Sequence, residues 1–228
     1  MIFRQLFDRK SFTYTYLIAS RIGGEAVIID PVREQVDQYL SLIEELQLCL
    51  VKAIDTHVHA DHVTGLGVLR ARTQCVTIMG EQSRATCVSR TISDGDVIEA
   101  EGLRLHALYT PGHTDDSYSY VLNDRVFTGD TLLIRGTGRT DFQNGDPEMQ
   151  YDSLFNRLLR LPQSTLVYPA HDYKGWTVST IGEEAAHNPR LQVSSKAEYV
   201  ALMNALKLPS PELMDIAVPA NRSCGQFR

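Results

Sequence analysis

The stretch 56-THVHADHVTG-65 places His57, His59, Asp61 and His62 within six consecutive positions. Imidazole and carboxylate side chains at this density are metal ligands before they are packing groups. Just upstream, 49-CLVKAIDT-56 reads as a buried strand that runs straight into the cluster. On an extended segment His57 and His59, two apart, face the same way. Asp61 and His62 follow a change of chain direction and can face a second position.

The same arrangement recurs downstream. "LRLHALYTPGH" ends at His113, "RVFTGD" at Asp130 and "TLVYPAH" at His171, each an apolar run closed by a residue able to bind metal. Loops at strand ends are where a rigid scaffold presents its chemistry. Pro111 and Gly112 force a tight bend before His113, and Gly129 lets the backbone approach closely before Asp130. Five of the seven histidines sit in these motifs. His106, inside an apolar run, reads as an ordinary strand residue, and His187 in "EEAAHNPR" as structural or exposed.

Working outward, alternation from Phe12 to Ile18 and the apolar run Ala26 to Ile29 predict strands, the second leaving at Asp30-Pro31. Val36, Leu40, Ile43 and Gln47 recur at helical spacing, predicting a helix over 33–48. A short helix over 65–72, the strand "CVTIM", a hairpin and strand within 91–110, and two strands about a turn at Asn123-Asp124 come next. An amphipathic helix over 150–160, the strand "TLVYPA" and a last helix within 195–206 complete the pattern. Strands first, then helix and strand alternating, suggest two sheets with helices outside, a four-layer α/β arrangement. An open doubly wound sheet is the rival, but no GxGxxG follows the first strand. No linker interrupts the chain, so residues 1–228 read as one domain, with 188–228 as a C-terminal extension packed on it.

The net charge of −6 and the absence of a basic block disfavour nucleic acid and anionic membrane as partners. No run is long enough to span a bilayer, and Ser11, Thr13, Tyr14 and Thr15 spoil a signal-peptide core. The expected address is cytoplasmic, or the mitochondrial matrix if a targeting segment has been trimmed. Cys49, Cys75, Cys87 and Cys224 show neither CxxC nor a disulfide-framework spacing, lie outside the metal motifs, and read as buried or inert.

Spacing alone leaves the chemistry open. Six ligands with a bridging carboxylate suit two ions that activate water for hydrolysis. Two histidines and one carboxylate suit a single iron with open positions for dioxygen and substrate. Affinity favours zinc over ferrous iron at most such sites, but zinc has no redox chemistry.

"THVHADH" with "TPGHTDDS", "FTGD" and "YPAHD" resembles the metallo-β-lactamase superfamily. "GDTLLIRGTGRTDFQNGD", "YPAHDYKGWTVSTIGEE", "NPRL" and "LPSPELMDIAVPANRSCG" narrow the resemblance to the persulfide dioxygenases, ethylmalonic encephalopathy protein-like sulfur dioxygenases, over nearly the whole chain. The resemblance implies an αββα sandwich and one Fe(II) per chain, held by His57, His113 and Asp130. His59, Asp61, His62 and His171 would then surround the metal as orienting groups; a second metal at Asp61 and His62 is the minority reading. The implied reaction is that of glutathione persulfide with O2 and water, giving sulfite and glutathione, centred on the metal with no side-chain nucleophile. Arg139 could meet a glycyl carboxylate, or else form an internal ion pair, and Tyr173 could line the pocket and donate a hydrogen bond. Arg135 is a weaker candidate, and Trp176 reads as packing beside the pocket. Thr137 stands where some family members have Cys. A homodimer is the assembly the family suggests.

Two alternatives stand beside this reading. A glyoxalase II-like hydroxyacylglutathione hydrolase would use a binuclear site, but typically adds a substantial helical C-terminal domain, which the Pro-rich tail does not resemble. A non-enzymatic metal-binding module would prefer a closed, fully protein-ligated site. A β-lactamase would act outside the cytoplasm, and no clear export signal is present.

Overall fold

The computed structural model describes residues 1–209 and 213–226. Its chain forms two units, residues 1–92, 97–105 and 210–228 in the first, and 93–96 and 106–209 in the second.

The first unit is built on a sheet of order β1-β2-β3-β4-β5-β6. β1 (Ile2–Asp8), β2 (Thr13–Ala19) and β3 (Glu25–Ile29) pair antiparallel, and β4 (Cys49–Ile54), β5 (Val76–Gly80) and β6 (Arg90–Ile92) continue parallel to β3. Parallel strands need crossovers, and α1 (Val36–Glu45) and α2 (Leu66–Thr73) provide two of them. Tyr39, Ile43, Leu66 and Leu69 pack into one core with Leu17, Ile28, Leu50 and Ala53. The helix predicted over 33–48 opens as a 3₁₀ turn, Arg33–Gln35, and is α-helical only to Glu45. Gln47, expected on the apolar stripe, is exposed and left-handed at φ 56°, where the chain turns toward β4.

A second six-stranded sheet has the order β12-β11-β10-β9-β8-β7. Its strands are β7 (Val97–Ala100), β8 (Leu103–Tyr109), β9 (Tyr118–Leu122), β10 (Arg125–Gly129), β11 (Leu166–Pro169) and β12 (Ser179–Thr180). β8, β9 and β10 form an antiparallel meander with the expected turn at Asn123-Asp124, and β11 runs parallel to β10. The helix expected over 150–160 begins earlier, as α3 (Pro147–Asp152). Asp146 caps it by accepting from the amides of Glu148 and Met149, with Pro147 in the first turn. It then loosens into a π-helical turn, Ser153–Arg157, and a 3₁₀ turn, Leu158–Arg160. α4 (Ile181–His187) and α5 (Lys196–Asn204) follow, capped by Thr180 and Ser195. Leu154, Leu158, Ile181, Tyr199 and Met203 pack with Val126 and Val167 of the sheet.

The residues expected as one C-terminal extension, 188–228, divide: 188–209 belong to the second unit, whereas the described residues 213–226 belong to the first. There they form α6 (Met214–Asn221), which the sequence pattern does not announce because Pro219 sits inside it. The expectation of four inert cysteines is corrected: Cys87 and Cys224 form a disulfide across 137 residues, with Cα atoms 5.8 Å apart. Spacing could not reveal a bridge set by the return of the tail. Cys75 is buried and free; Cys49 is free but exposed. Among the described residues, no helix is long and apolar enough to cross a membrane.

Candidate metal centre

In the first unit, β3 and β4 are parallel neighbours, so the residues that follow them emerge on the same side of the sheet. Asp30 follows β3, and the loop with His57, His59, Asp61 and His62 follows β4. Asp30, left-handed at φ 51° and buried, organises this loop. Its carboxylate accepts from the Thr56 amide at 2.7 Å and the Thr56 hydroxyl at 3.0 Å. With its hydroxyl hydrogen directed at Asp30, the Thr56 oxygen accepts from His57 Nδ1 at 2.9 Å. The proton therefore sits on Nδ1 of His57, and Nε2 carries the lone pair a metal needs. His59 Nε2 lies 3.1 Å from Asp30 Oδ1, so that nitrogen is the donor and Nδ1 carries the lone pair.

The three imidazoles lie side by side, with centroids 4.1 Å apart for His57 and His59 and 4.4 Å for His59 and His62. His62 Nδ1 lies 3.0 Å from Asp61 Oδ2 and 3.3 Å from Thr13 Oγ1, and Thr13 also donates to Asp61. Burial pushes the Asp30 carboxyl up to about 6, against the opposing pull of His57, the Thr56 hydrogen bonds and His62.

In the second unit, parallel β10 and β11 deliver Asp130 and His171 just beyond their ends. His171 Nδ1 lies 2.7 and 2.9 Å from the two Asp130 oxygens and donates to them. His113, on the loop after β8, has Nδ1 2.7 Å from the Arg139 carbonyl oxygen. A carbonyl only accepts, so the proton is on Nδ1, and Nε2 presents its lone pair 3.6 Å from Asp130 Oδ2. That contact depends on Gly138: a Cβ there would lie 2.3 Å from the Asp130 carbonyl oxygen and 2.7 Å from His113 Nδ1. Two acceptor atoms facing each other this closely suit a cation between them.

The remaining candidates are placed as follows. The Tyr173 ring lies parallel to His171 at 6.1 Å, and the residue is 63% exposed. The Arg139 guanidinium grips Asp141 at 2.6 and 2.8 Å, donates to the Pro209 carbonyl at 2.6 Å and covers the Phe142 ring, which is the internal ion-pair alternative. This Arg139 contact holds the Asp141 carboxyl below its ordinary range. Arg135 is tied to Glu183 and Glu184 and lies over Trp176. Thr137 receives hydrogen bonds from Arg190. His106 is an exposed residue of β8, and His187 is exposed at the end of α4.

Sequence reasoning missed Asp30, Thr56 and Asn221. Asp30 obeys the same rule as Asp130, a carboxylate closing an apolar strand, and "VIIDP" held that signal. Asn221 gave none, because its role depends on where the tail returns.

The sequence profile of the metallo-β-lactamase superfamily matches residues 8–86 and 88–171. The mitochondrial persulfide dioxygenase ETHE1 of Bos taurus is 47% identical over 228 residues, covering 99% of this chain and 89% of that protein. The Homo sapiens protein of the same name is 46% identical over the same spans. The crystal structure of ETHE1 from Myxococcus xanthus matches with a TM-score of 0.97 and 55% identity, covering 99% of this chain and 100% of that one. The fold expected from sequence, the α/β metallo-β-lactamase fold, is thereby established.

Proposed function

The chain belongs to the metallo-β-lactamase superfamily and, within it, to the persulfide dioxygenases; from that premise we propose that it oxidises the terminal sulfur of glutathione persulfide with O2, releasing sulfite and glutathione. The observation that carries this is the match to persulfide dioxygenases along 99% of the chain. The donor chemistry fits it. His57, His113 and Asp130 would hold one Fe(II), two neutral imidazoles and a carboxylate being the set that leaves positions open for substrates. Ferrous iron bound there supplies the redox chemistry that joins dioxygen to sulfur.

The protein's own groups keep that set ready. Asp30 acts through Thr56 to hold the His57 proton on Nδ1. The Arg139 carbonyl does the same for His113. His171 donates to Asp130 and so fixes the carboxylate's orientation. Asp61 and His62 are engaged with each other and with Thr13, which favours an orienting role over a second metal. The exposed Tyr173 phenol is offered to the incoming thiol conjugate. Arg139 would reach its glycyl carboxylate by exchanging Asp141 for it. Work in the cytoplasm, or in the mitochondrial matrix, suits this substrate; the mammalian relatives are named as mitochondrial.

The test is anaerobic purification, metal quantification, and oxygen uptake on glutathione persulfide in the same sample. One iron per chain with persulfide-dependent uptake and sulfite release is expected. Two zinc ions per chain, with no uptake after anaerobic iron reconstitution, would overturn the reading in favour of a hydrolase.

A further inference from the structure

The histidine loop is held by a residue far from it in sequence. Asn221, fully buried at the end of α6, donates through Nδ2 to the carbonyls of His59 at 2.9 Å and His62 at 2.8 Å. Its Oδ1 accepts from the Thr64 amide at 2.8 Å. Residues 55–64 lie outside the named strands and meet other backbone at their ends, through the Asp55 amide to Ile78, the Arg33 amide to the Val63 carbonyl and an isolated bridge of Thr64 with Val32, so a buried amide that serves three of their groups helps set the loop's path.

Asn221 itself is held by a short helix and by the turn after it, where the Gly67 amide donates to the Cys224 carbonyl and the Arg33 guanidinium to the Gly225 carbonyl. α6 has eight residues, contains Pro219, and buries only Ala217, Ala220 and Asn221 itself. Such a helix has little helical stability of its own and little apolar area to dock it. Three residues on, the chain hooks back: the Cys224 amide donates to the Asn221 carbonyl, and Gly225 approaches Thr64 so closely that a Cβ would lie 2.2 Å from the Thr64 oxygen. Cys224 is bonded to Cys87, in the segment between β5 and β6. Cys224 is buried, whereas Cys87 is half-buried.

We propose that Asn221 is a positioning residue for the histidine loop and that the Cys87–Cys224 disulfide is the clasp that keeps it seated, so that the thiol–disulfide state of this pair sets how firmly the loop holds metal. The metal half of this inference rests on the proposed function. The chemistry is thiol–disulfide exchange with a small thiol. Its thiolate attacks the Cys87 sulfur, the more open of the two, and the electron pair of the broken bond leaves on Cys224, which takes up a proton. A second thiolate attacks the mixed disulfide at the small thiol's sulfur and frees Cys87, which also takes up a proton. The protein gains two electrons and two protons, and two small thiols become one disulfide. A persulfide-handling enzyme works among such thiols, and disulfides in reducing compartments are usually redox-sensing or catalytic.

The experiment uses the full chain, oxidised or reduced with dithiothreitol and then desalted anaerobically. Denatured thiol counts should rise from two, Cys49 and Cys75, to four. Reduction should speed iron transfer from the loaded protein to a chromogenic chelator by about tenfold, the scale seen when groups behind metal ligands are removed. Hydrogen exchange at Thr64 should accelerate in the metal-free protein as well. Cys87→Ser, a mild change at a half-buried position, should behave as the reduced protein does and ignore dithiothreitol. Unchanged Thr64 exchange in the reduced, metal-free protein would overturn the clasp. So would four thiols before reduction that no mild disulfide oxidant can pair. Faster Thr64 exchange with unchanged iron release would leave the clasp on the loop standing and overturn its control of metal retention, while a protein that takes up no iron in either state would overturn the proposed function instead.

Discussion

In the first unit four candidate donors lie within six consecutive residues, whereas in the second His113, Asp130 and His171 follow the ends of three different strands. The contiguous set needs outside help. Its loop lies outside the named strands, and Asp30 and Asn221 bond and aim it. The dispersed set gets its geometry from the sheet that carries it, and needs local fit at the Arg139 carbonyl and Gly138. Candidate donors close in sequence are thus positioned by remote residues, while those far apart in sequence are positioned by the β-ladder and its connections.

Removing a proposed ligand from the dispersed half should have the largest effect. Asp130→Ala takes away a carboxylate and the acceptor of His171; iron affinity by competition with a chelator should fall by more than about 100-fold, with persulfide-dependent oxygen uptake lost.

Asp30→Asn tests the contiguous half next. An amide nitrogen facing Thr56 would donate to its oxygen and turn the hydroxyl proton toward His57. That forces the His57 proton onto Nε2, the wrong tautomer for binding. Iron affinity should fall by about 10–100-fold. The same substitution has a stability signature in the metal-free protein. The Asp30 carboxyl is raised by burial from 3.8 to about 6, so ionising it favours the unfolded chain, and its contribution to stability falls as pH rises through that window. Relative to wild type, the variant should therefore be more favoured at pH 8 than at pH 4, by about 1–3 kcal/mol in urea denaturation.

Gly138→Ala should cost about 1–3 kcal/mol of stability, because its Cβ has to push aside His113 and the Asp130 backbone. Thermal unfolding measures this, and an unchanged melting temperature would show that the dispersed half tolerates slack. The smallest effect is expected at Tyr173→Ala. An exposed ring should cost a few-fold in KM for glutathione persulfide while leaving iron content intact.

The sequence by itself determined the rule that apolar strands end in ligand-capable residues, and with it every candidate donor from His57 to His171. Strand alternation and terminal turn residues are local properties, and so is a ligand motif of six residues. Most strands were legible for the same reason. β12 and α4 were missed, as short elements whose formation depends on neighbours rather than on periodicity. The irregular exit of α3 into a π-helical turn is likewise invisible to a 3.6-residue count.

Only the tertiary structure decided which nitrogen of each histidine carries the proton, because that is fixed by Thr56, Asp30 and the Arg139 carbonyl, partners brought in by parallel strands and loops. It alone decided that the tail returns to the first unit, where Asn221 meets the histidine loop and Cys224 meets Cys87. Both depend on contacts across more than a hundred residues, and no local pattern encodes a partner at that distance.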